Sequence, residues 1–473
     1  MATTSSPISV PLSSAPPEAW EPLLRVARLA GKPLERFLRI EAASGILLLA
    51  AAASALVWAN SPWAESYHQL WRTPLSVGVG QLRFERTLEW FVNDILMVIF
   101  FFVVGMEIRR EIHHGELSEW RRATLPVAAA LGGMLVPAGV YLGLAGERLT
   151  RPGWGVSMAT DIAFAVGILT LLGKRVPAAL RVLLLALAVI DDLGAIVVIA
   201  LFYSSGVSLS GLLVAAMGLA GVFVMQRLGL RSKIVYVVPA FVAWAGIYGA
   251  GIHPTIAGVI VGLVTPVRAW LGPEGFLVSA RRELDVLAQV PAGVLSSHEL
   301  AGSLRKVELA RREAMSPAES LIATLHPWVA FGIMPVFALA NAGVSLTGGP
   351  LDDAARRIVF GVAIGLAVGK PAGVLLVSWI ALKFKLATLP RGLTFAHLLV
   401  LGVVAGIGFT MALFVAQLAF TDQRLLAAAK VGVLGASGLA AVAALALGRL
   451  LLKPAEGASA ALTADEAERS TEG

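Results

Sequence analysis

Charge is scarce in this 473-residue chain. Asp, Glu, Lys and Arg together make up 15% of it, against about 25% in a soluble globular domain. That shortage excludes an ordinary water-facing surface, and with 57% hydrophobic residues it points to lipid as the solvent. Cysteine is absent altogether, which excludes a disulfide framework and thiolate metal sites and leaves the compartment unreadable from redox chemistry. Residues 1–20 are rich in Ser and Pro but lack a basic stretch leading into an apolar core, so they do not read as a cleaved signal peptide.

A formal net charge of +7 would suit nucleic acid, but the basic residues are distributed for a different purpose. Apolar runs recur along the chain, each about the 20 residues that a helix needs to cross a bilayer core. Twelve spans are expected, at 41–59, 88–108, 124–146, 155–172, 178–203, 209–226, 234–249, 252–267, 326–343, 358–382, 395–419 and 428–451. With these spans removed, the face that holds the N-terminus collects 28 Lys and Arg and the opposite face 9, with Lys370 left inside a span. The positive-inside rule then puts both termini in the cytoplasm. Membrane lipid is the expected partner and nucleic acid is not.

Four segments lie outside the spans. A cytoplasmic N-terminal tail is expected at 1–38 and a disordered, Ala-, Glu- and Ser-rich tail at 454–473, flanking a membrane transport domain at 39–453. Residues 268–325 form a polar cytoplasmic loop, with room for one or two surface helices. In residues 75–84, apolar positions alternate with small or polar ones around glycines, the pattern of a periplasmic β-hairpin. Its open edge could pair with a second copy in a homodimer, or the hairpin could cap its own helices.

A charge at the bilayer centre costs about 2.5–3.5 kcal/mol, so the ionisable residues inside spans carry information. They are Asp94, Asp161, Asp191, Asp192 and Lys370, with Glu107 near the end of the second span. Asp191 and Asp192 are adjacent in an otherwise apolar run, and neighbours on a helix point about 100° apart. One carboxylate can therefore face a water-filled cavity while the other faces a neighbouring helix. Burial and a like-charged neighbour both disfavour ionisation of a carboxylate, and hard oxygen ligands suit small hard cations. Such a pair can hold either protons or a cation.

Thr160-Asp161 in the fourth span competes for backbone groups and favours a helix break there. Gly402–Met411 in the eleventh span, with glycines at 402, 406 and 408, has a matching weak point. Two interrupted spans in corresponding halves point to a transporter site, where half-helix ends carry partial charges. Asp161 and Lys370 are of the right kinds to neutralise such ends. Lys370 needs an anion, and Asp191 or Asp192 can supply it.

At these residues the sequence resembles the NhaA family of bacterial Na⁺/H⁺ antiporters, from about Ile40 to Leu452. The resemblance is carried by Asn93-Asp-Ile-Leu-Met-Val-Ile-Phe-Phe, Ala159-Thr-Asp-Ile-Ala-Phe-Ala, Ile190-Asp-Asp-Leu-Gly-Ala-Ile, His326-Pro-Trp, Ala340-Asn-Ala-Gly-Val, Gly369-Lys-Pro and Gly406-Ile-Gly-Phe-Thr-Met. It implies an all-α protein of about twelve transmembrane helices, with an inverted repeat and crossed helices at spans 4 and 11. It also implies an electrogenic inner-membrane antiporter, not an enzyme, that takes up protons, expels Na⁺ or Li⁺ and needs no cofactor. In this likeness Asp191 and Asp192 bind the exchanged ions, and Asp161 and Lys370 compensate the half-helices, with Lys370 also a partner for Asp191. Asp94 and Glu107 line the access path. His253 matches a position tied to pH response, but Ile322 and Ala323 stand where the family's pH-responsive stretch has a glutamate and a histidine, and the loop before them is longer. The working pH range is therefore left open.

Two other classes fit less well. A solute symporter would need Asn, Gln or Arg to line a larger cavity, and the spans hold few. An intramembrane aspartyl protease uses two membrane carboxylates, typically with a Gly-x-Gly-Asp element; Gly406-Ile-Gly-Phe lacks the Asp, and Asp191 and Asp192 share one helix.

Overall fold

A computed structural model describes residues 41–452 except 80–81, 205, 231–232, 290–295 and 346–351. The tails expected at 1–38 and 454–473 lie outside the described residues. The chain is mostly helical. Its elements are α1 (Glu41–Ala59), α2 (Ala64–Arg72), strands β1 (Pro74–Val79) and β2 (Leu82–Thr87), α3 (Leu88–His114), α4 (Trp120–Ala145), α5 (Ile162–Leu171) and α6 (Ala178–Phe202). There follow α7 (Leu209–Arg227), α8 (Val237–Gly249), α9 (Thr255–Val264), α10 (Gly272–Ala288), α11 (Ser297–Ala314) and α12 (Pro317–Asn341). The last four are α13 (Asp353–Lys383), α14 (Phe395–Ala405), α15 (Phe409–Ala419) and α16 (Gln423–Leu451).

Among the described residues, 8 helices are long and apolar enough to cross a membrane, and two bent helix pairs raise that to 10. The seventh and eighth expected spans fall on two shorter apolar helices, Lys233–Gly249 and Thr255–Val264. Span nine starts at Pro317, nine residues before the expected 326, so the polar loop before it is shorter than 268–325. The cause is a strong start signal inside the supposed loop. Ser316 Oγ accepts from Glu319 N and the Glu319 carboxylate accepts from Ser316 N, both at 3.2 Å, a capping box that satisfies two otherwise orphaned donors.

The rest of that loop is a helical hairpin of α10 and α11. They run antiparallel, with Leu271 N donating to Glu313 O at 3.0 Å and Lys306 bridging to Glu283 at 3.2 Å. On α11, hydrogen bonds from Arg311 and Arg312 hold the Glu308 carboxyl down to about 2.

On the opposite end, β1 and β2 pair antiparallel from Pro74↔Thr87 to Val79↔Leu82, three residues further than the sequence pattern reaches at the C-terminal side. The hairpin is tied to its own chain, since Arg86 Nη2 donates to Tyr248 Oη on α8 at 3.0 Å. Helix α2, which the apolar-run reading passes over, turns 114° from the first span and buries Tyr67 and Trp71. The Tyr67 hydroxyl donates to Leu339 O and Ala340 O at 2.8 and 3.0 Å, which pins α2 across the end of α12.

Two features position the interior. First, α4 and α13 approach backbone to backbone, because a Cβ on Gly132 would lie 2.1 Å from Gly373 O. Small residues let membrane helices come this close, and Lys370 sits one turn away on α13. Second, π-helical turns interrupt α3 at Phe91–Leu96 and α13 at Gly365–Gly369. The first contains Asp94 and the second ends beside Lys370. Such turns shift side-chain register and occur mostly at functional sites.

Candidate ion-binding site

The fourth span is broken where Thr160-Asp161 suggested. A 3₁₀ segment, Arg151–Met158, is followed by extended backbone, and the α-helix resumes only at Ile162. The eleventh span is broken at 406–408, between α14 and α15, with a 46° bend. The two breaks cross. Asp161 N donates to Ile407 O at 2.8 Å and Thr160 Oγ1 donates to Ala405 O at 3.1 Å. Backbone groups freed by one break are thus satisfied by the other, as a lipid-embedded chain requires.

Asp161 serves two helix starts at once. Its Oδ1 accepts from Phe164 N at 3.0 Å in the first turn of α5, and its Oδ2 accepts from Thr410 N at 3.1 Å in the first turn of α15, as well as from the Thr410 hydroxyl. An anion between two helix N-termini is favoured by their partial positive charge. Lys370 does the converse, donating to Met158 O at the end of the 3₁₀ segment. The acid and the base expected at the crossing are both there.

Lys370 also reaches Asp191. Its Nζ stands 2.9 Å from Asp191 Oδ2, and the Thr160 hydroxyl donates to the same oxygen at 2.7 Å. Asp191 and Asp192 are each 2% exposed and Lys370 0%, so bulk solvent does not reach them. The second Asp191 oxygen, Oδ1, is buried with no hydrogen-bond partner among the described residues, although buried polar atoms are nearly always paired. Asp192 lies within electrostatic range of Asp191, Glu107, Asp161 and Lys370.

A cavity lies nearer the hairpin end. It measures about 270 Å³ and is lined by Asp94, Tyr203, Tyr248, Gly251, Ile252, His253 and Pro254. His253 Nε2 stands 3.8 Å from Asp94 Oδ1, and its Nδ1 is 2.8 Å from Thr255 Oγ1. Glu107 is 13 residues further along α3, about 20 Å at 1.5 Å per residue. It sits near His326 and Arg110 and within range of Asp192. The structure therefore brings Thr160, Asp161, Asp191, Asp192 and Lys370 together, and sets Asp94 with His253 on one side and Glu107 on the other.

Sequence reasoning passed over Thr410 and the carbonyls of Met158 and Ala405, because nothing in a sequence marks which backbone atoms a break will expose. It also gave no role to Asn93, Asn341 and Gln417. Among the described residues, no group of three or more His, Cys, Asp or Glu gathers as a metal-ligand cluster.

A family model described as Na⁺/H⁺ antiporter 1 matches residues 35–447. The chain is 71% identical over 471 residues to "Na(+)/H(+) antiporter NhaA 2" of Myxococcus xanthus, with 100% of both chains covered. It is 58% identical to the protein of the same description from Sorangium cellulosum, over 98% of this chain and 99% of that one. Among solved structures, the sodium proton antiporter MjNhaP1 from Methanocaldococcus jannaschii aligns with a TM-score of 0.48 at 12% identity, covering 91% of this chain and 98% of that one.

Proposed function

From a chain that belongs to the Na⁺/H⁺ antiporter 1 family and exchanges sodium for protons, we propose that Asp191 and Asp192 are the groups at which the two ions compete. The observation that carries this reading is the state of Asp191, with one oxygen held by Lys370 and Thr160 and the other enclosed without a donor. An oxygen in that position is satisfied by a proton or by a small hard cation. Asp192, the Thr160 hydroxyl and Asp191 itself supply hard oxygen ligands for Na⁺ or Li⁺, and no further cofactor is needed. Asp161 and Lys370 hold the broken helices in register while the ions change.

Exchange then proceeds by competition at one site. Na⁺ enters past Glu107 from the cytoplasmic side and displaces protons from the pair, and Lys370 stays with whichever carboxylate is ionised. A shift of the crossed helices exposes the loaded site toward Asp94 and His253, where external protons replace Na⁺. Two carboxylates allow two protons per Na⁺, which makes the cycle electrogenic. The basic excess on the face holding the α10–α11 hairpin supports cytoplasmic termini in a bacterial inner membrane. The unpaired edge of the β1–β2 hairpin is the surface by which two copies form a homodimer, with Arg86–Tyr248 fixing each hairpin to its own chain.

Purified protein in proteoliposomes gives the test. Asp192→Asn abolishes Na⁺-driven dissipation of a preset pH gradient while the protein remains folded and monodisperse. Normal exchange by that variant would sink the assignment.

A further inference from the structure

Three carboxamides meet inside the hairpin-side half of the protein. Asn93 lies in the π turn of α3 immediately before Asp94, Asn341 closes α12, and Gln417 is near the end of α15. Asn341 is fully enclosed. Its Nδ2 donates to Asn93 Oδ1 at 2.8 Å and to Phe337 O at 3.0 Å, and its Oδ1 accepts from Gln417 Nε2. Both donor hydrogens and the carbonyl of the amide are in use. Anchoring α12 does not require this arrangement, because Tyr67 already bonds Leu339 O and Ala340 O, and Asn60 Nδ2 bonds Val344 O at 2.8 Å.

What the amides join is more telling. Asp161 grips Thr410 in the first turn of α15. Gln417 is seven residues further along the same helix, about 10 Å, and from it the hydrogen bonds run through Asn341 to Asn93 and so to the backbone that carries Asp94. A rigid half-helix thus links the crossing to the carboxylate in the outer cavity. Satisfied buried polar networks fix one geometry, and a broken one leaves costly unpaired groups.

We propose that Asn341 is a positioning residue that couples the orientation of Asp94 to the state of the helix crossing, acting on transport through Asp94. This rests on the reading of Asp94 as part of the ion path. When α15 moves as the site exchanges ions, the amide chain carries that movement to the π turn and turns the Asp94 carboxylate toward or away from the cavity.

The test is a double-mutant cycle in proteoliposomes, reading the KM for Na⁺ separately from the maximal rate. Asn341→Ala and Asp94→Asn each raise the KM about tenfold, the size of one buried hydrogen bond, with maximal rates within about twofold. The double variant is no worse than either single one, because both act on the same group. Asn93→Leu breaks the same bond from its half-buried side and gives the same KM; it carries the test alone if Asn341→Ala fails to fold. Effects that multiply in the double variant, a fall in maximal rate at unchanged KM, or an Asp94→Asn variant of normal KM would each overturn the proposal. Asp192→Asn, run alongside, reports on the ion site itself and separates failure of that reading from failure of this one.

Discussion

The Lys370 ammonium stands 2.9 Å from Asp191 Oδ2, with both side chains closed off from solvent and from lipid. An exposed pair at this distance is worth 1 kcal/mol or less. An enclosed one behaves differently, because desolvating two charges offsets much of their attraction, while removing one partner strands the other. The same lysine also occupies Met158 O, so it joins the broken fourth span to the helix that carries the ion pair.

Lys370→Ala therefore removes two interactions and leaves a cavity in a fully buried position. The expected loss is about 3 kcal/mol or more, read as a lowered midpoint in thermal unfolding of the detergent-solubilised protein. Lys370→Met, which keeps the volume, recovers the packing part of that loss and not the rest. Wild-type thermal stability in the alanine variant would count against a buried pair.

Thr160→Val tests the other ligand of Asp191 Oδ2. The change conserves shape and deletes the hydroxyl whose one hydrogen is shared between Asp191 Oδ2 at 2.7 Å and Ala405 O at 3.1 Å. A hydrogen bond to a charged group contributes about 1.5–3 kcal/mol, so the affinity for Na⁺ falls by about tenfold or more. The measurement is the KM for Na⁺ in proteoliposomes at fixed pH. An unchanged KM would mean that the hydroxyl serves only the helix break.

How far these arrangements could be read in advance depends on what each one rests on. Asp191, Asp192, Asp161 and Lys370 declare themselves because charge in an apolar run is costly, and the break at 160–161 follows from local competition for backbone groups. The crossing itself needs partners 245–249 residues apart, such as Thr160 with Ala405 and Asp161 with Thr410, and no local pattern encodes them. Helix α2 is nine residues of mixed polarity, too short for a span reading to register. The start of α12 at Pro317 was legible in Ser316 and Glu319 as a capping box, but hydropathy alone hides it behind polar residues. Asn341 sits among apolar neighbours as a neutral polar residue that carries no insertion penalty large enough to attract notice.

The close approach of α4 and α13 supplies the sharpest steric prediction. A Cβ on Gly373 would lie 2.0 Å from Gly132 O and 2.7 Å from its carbonyl carbon. Those are backbone atoms that cannot rotate away, so Gly373→Ala must push the two helices apart. Overpacking of this kind costs about 1–3 kcal/mol, and here the displaced segment begins one turn after Lys370, so the Lys370–Asp191 contact lengthens as well. The variant is expected to lose thermal stability and exchange rate together. Gly139→Ala and Gly143→Ala on α4 provide the control, because a Cβ at either position meets nothing within 4 Å. Alanine is favoured over glycine in a helix interior by about 1 kcal/mol, so those two variants should be neutral or slightly stabilised with normal exchange. If Gly373→Ala behaves as they do, the α4–α13 contact does not set the position of Lys370.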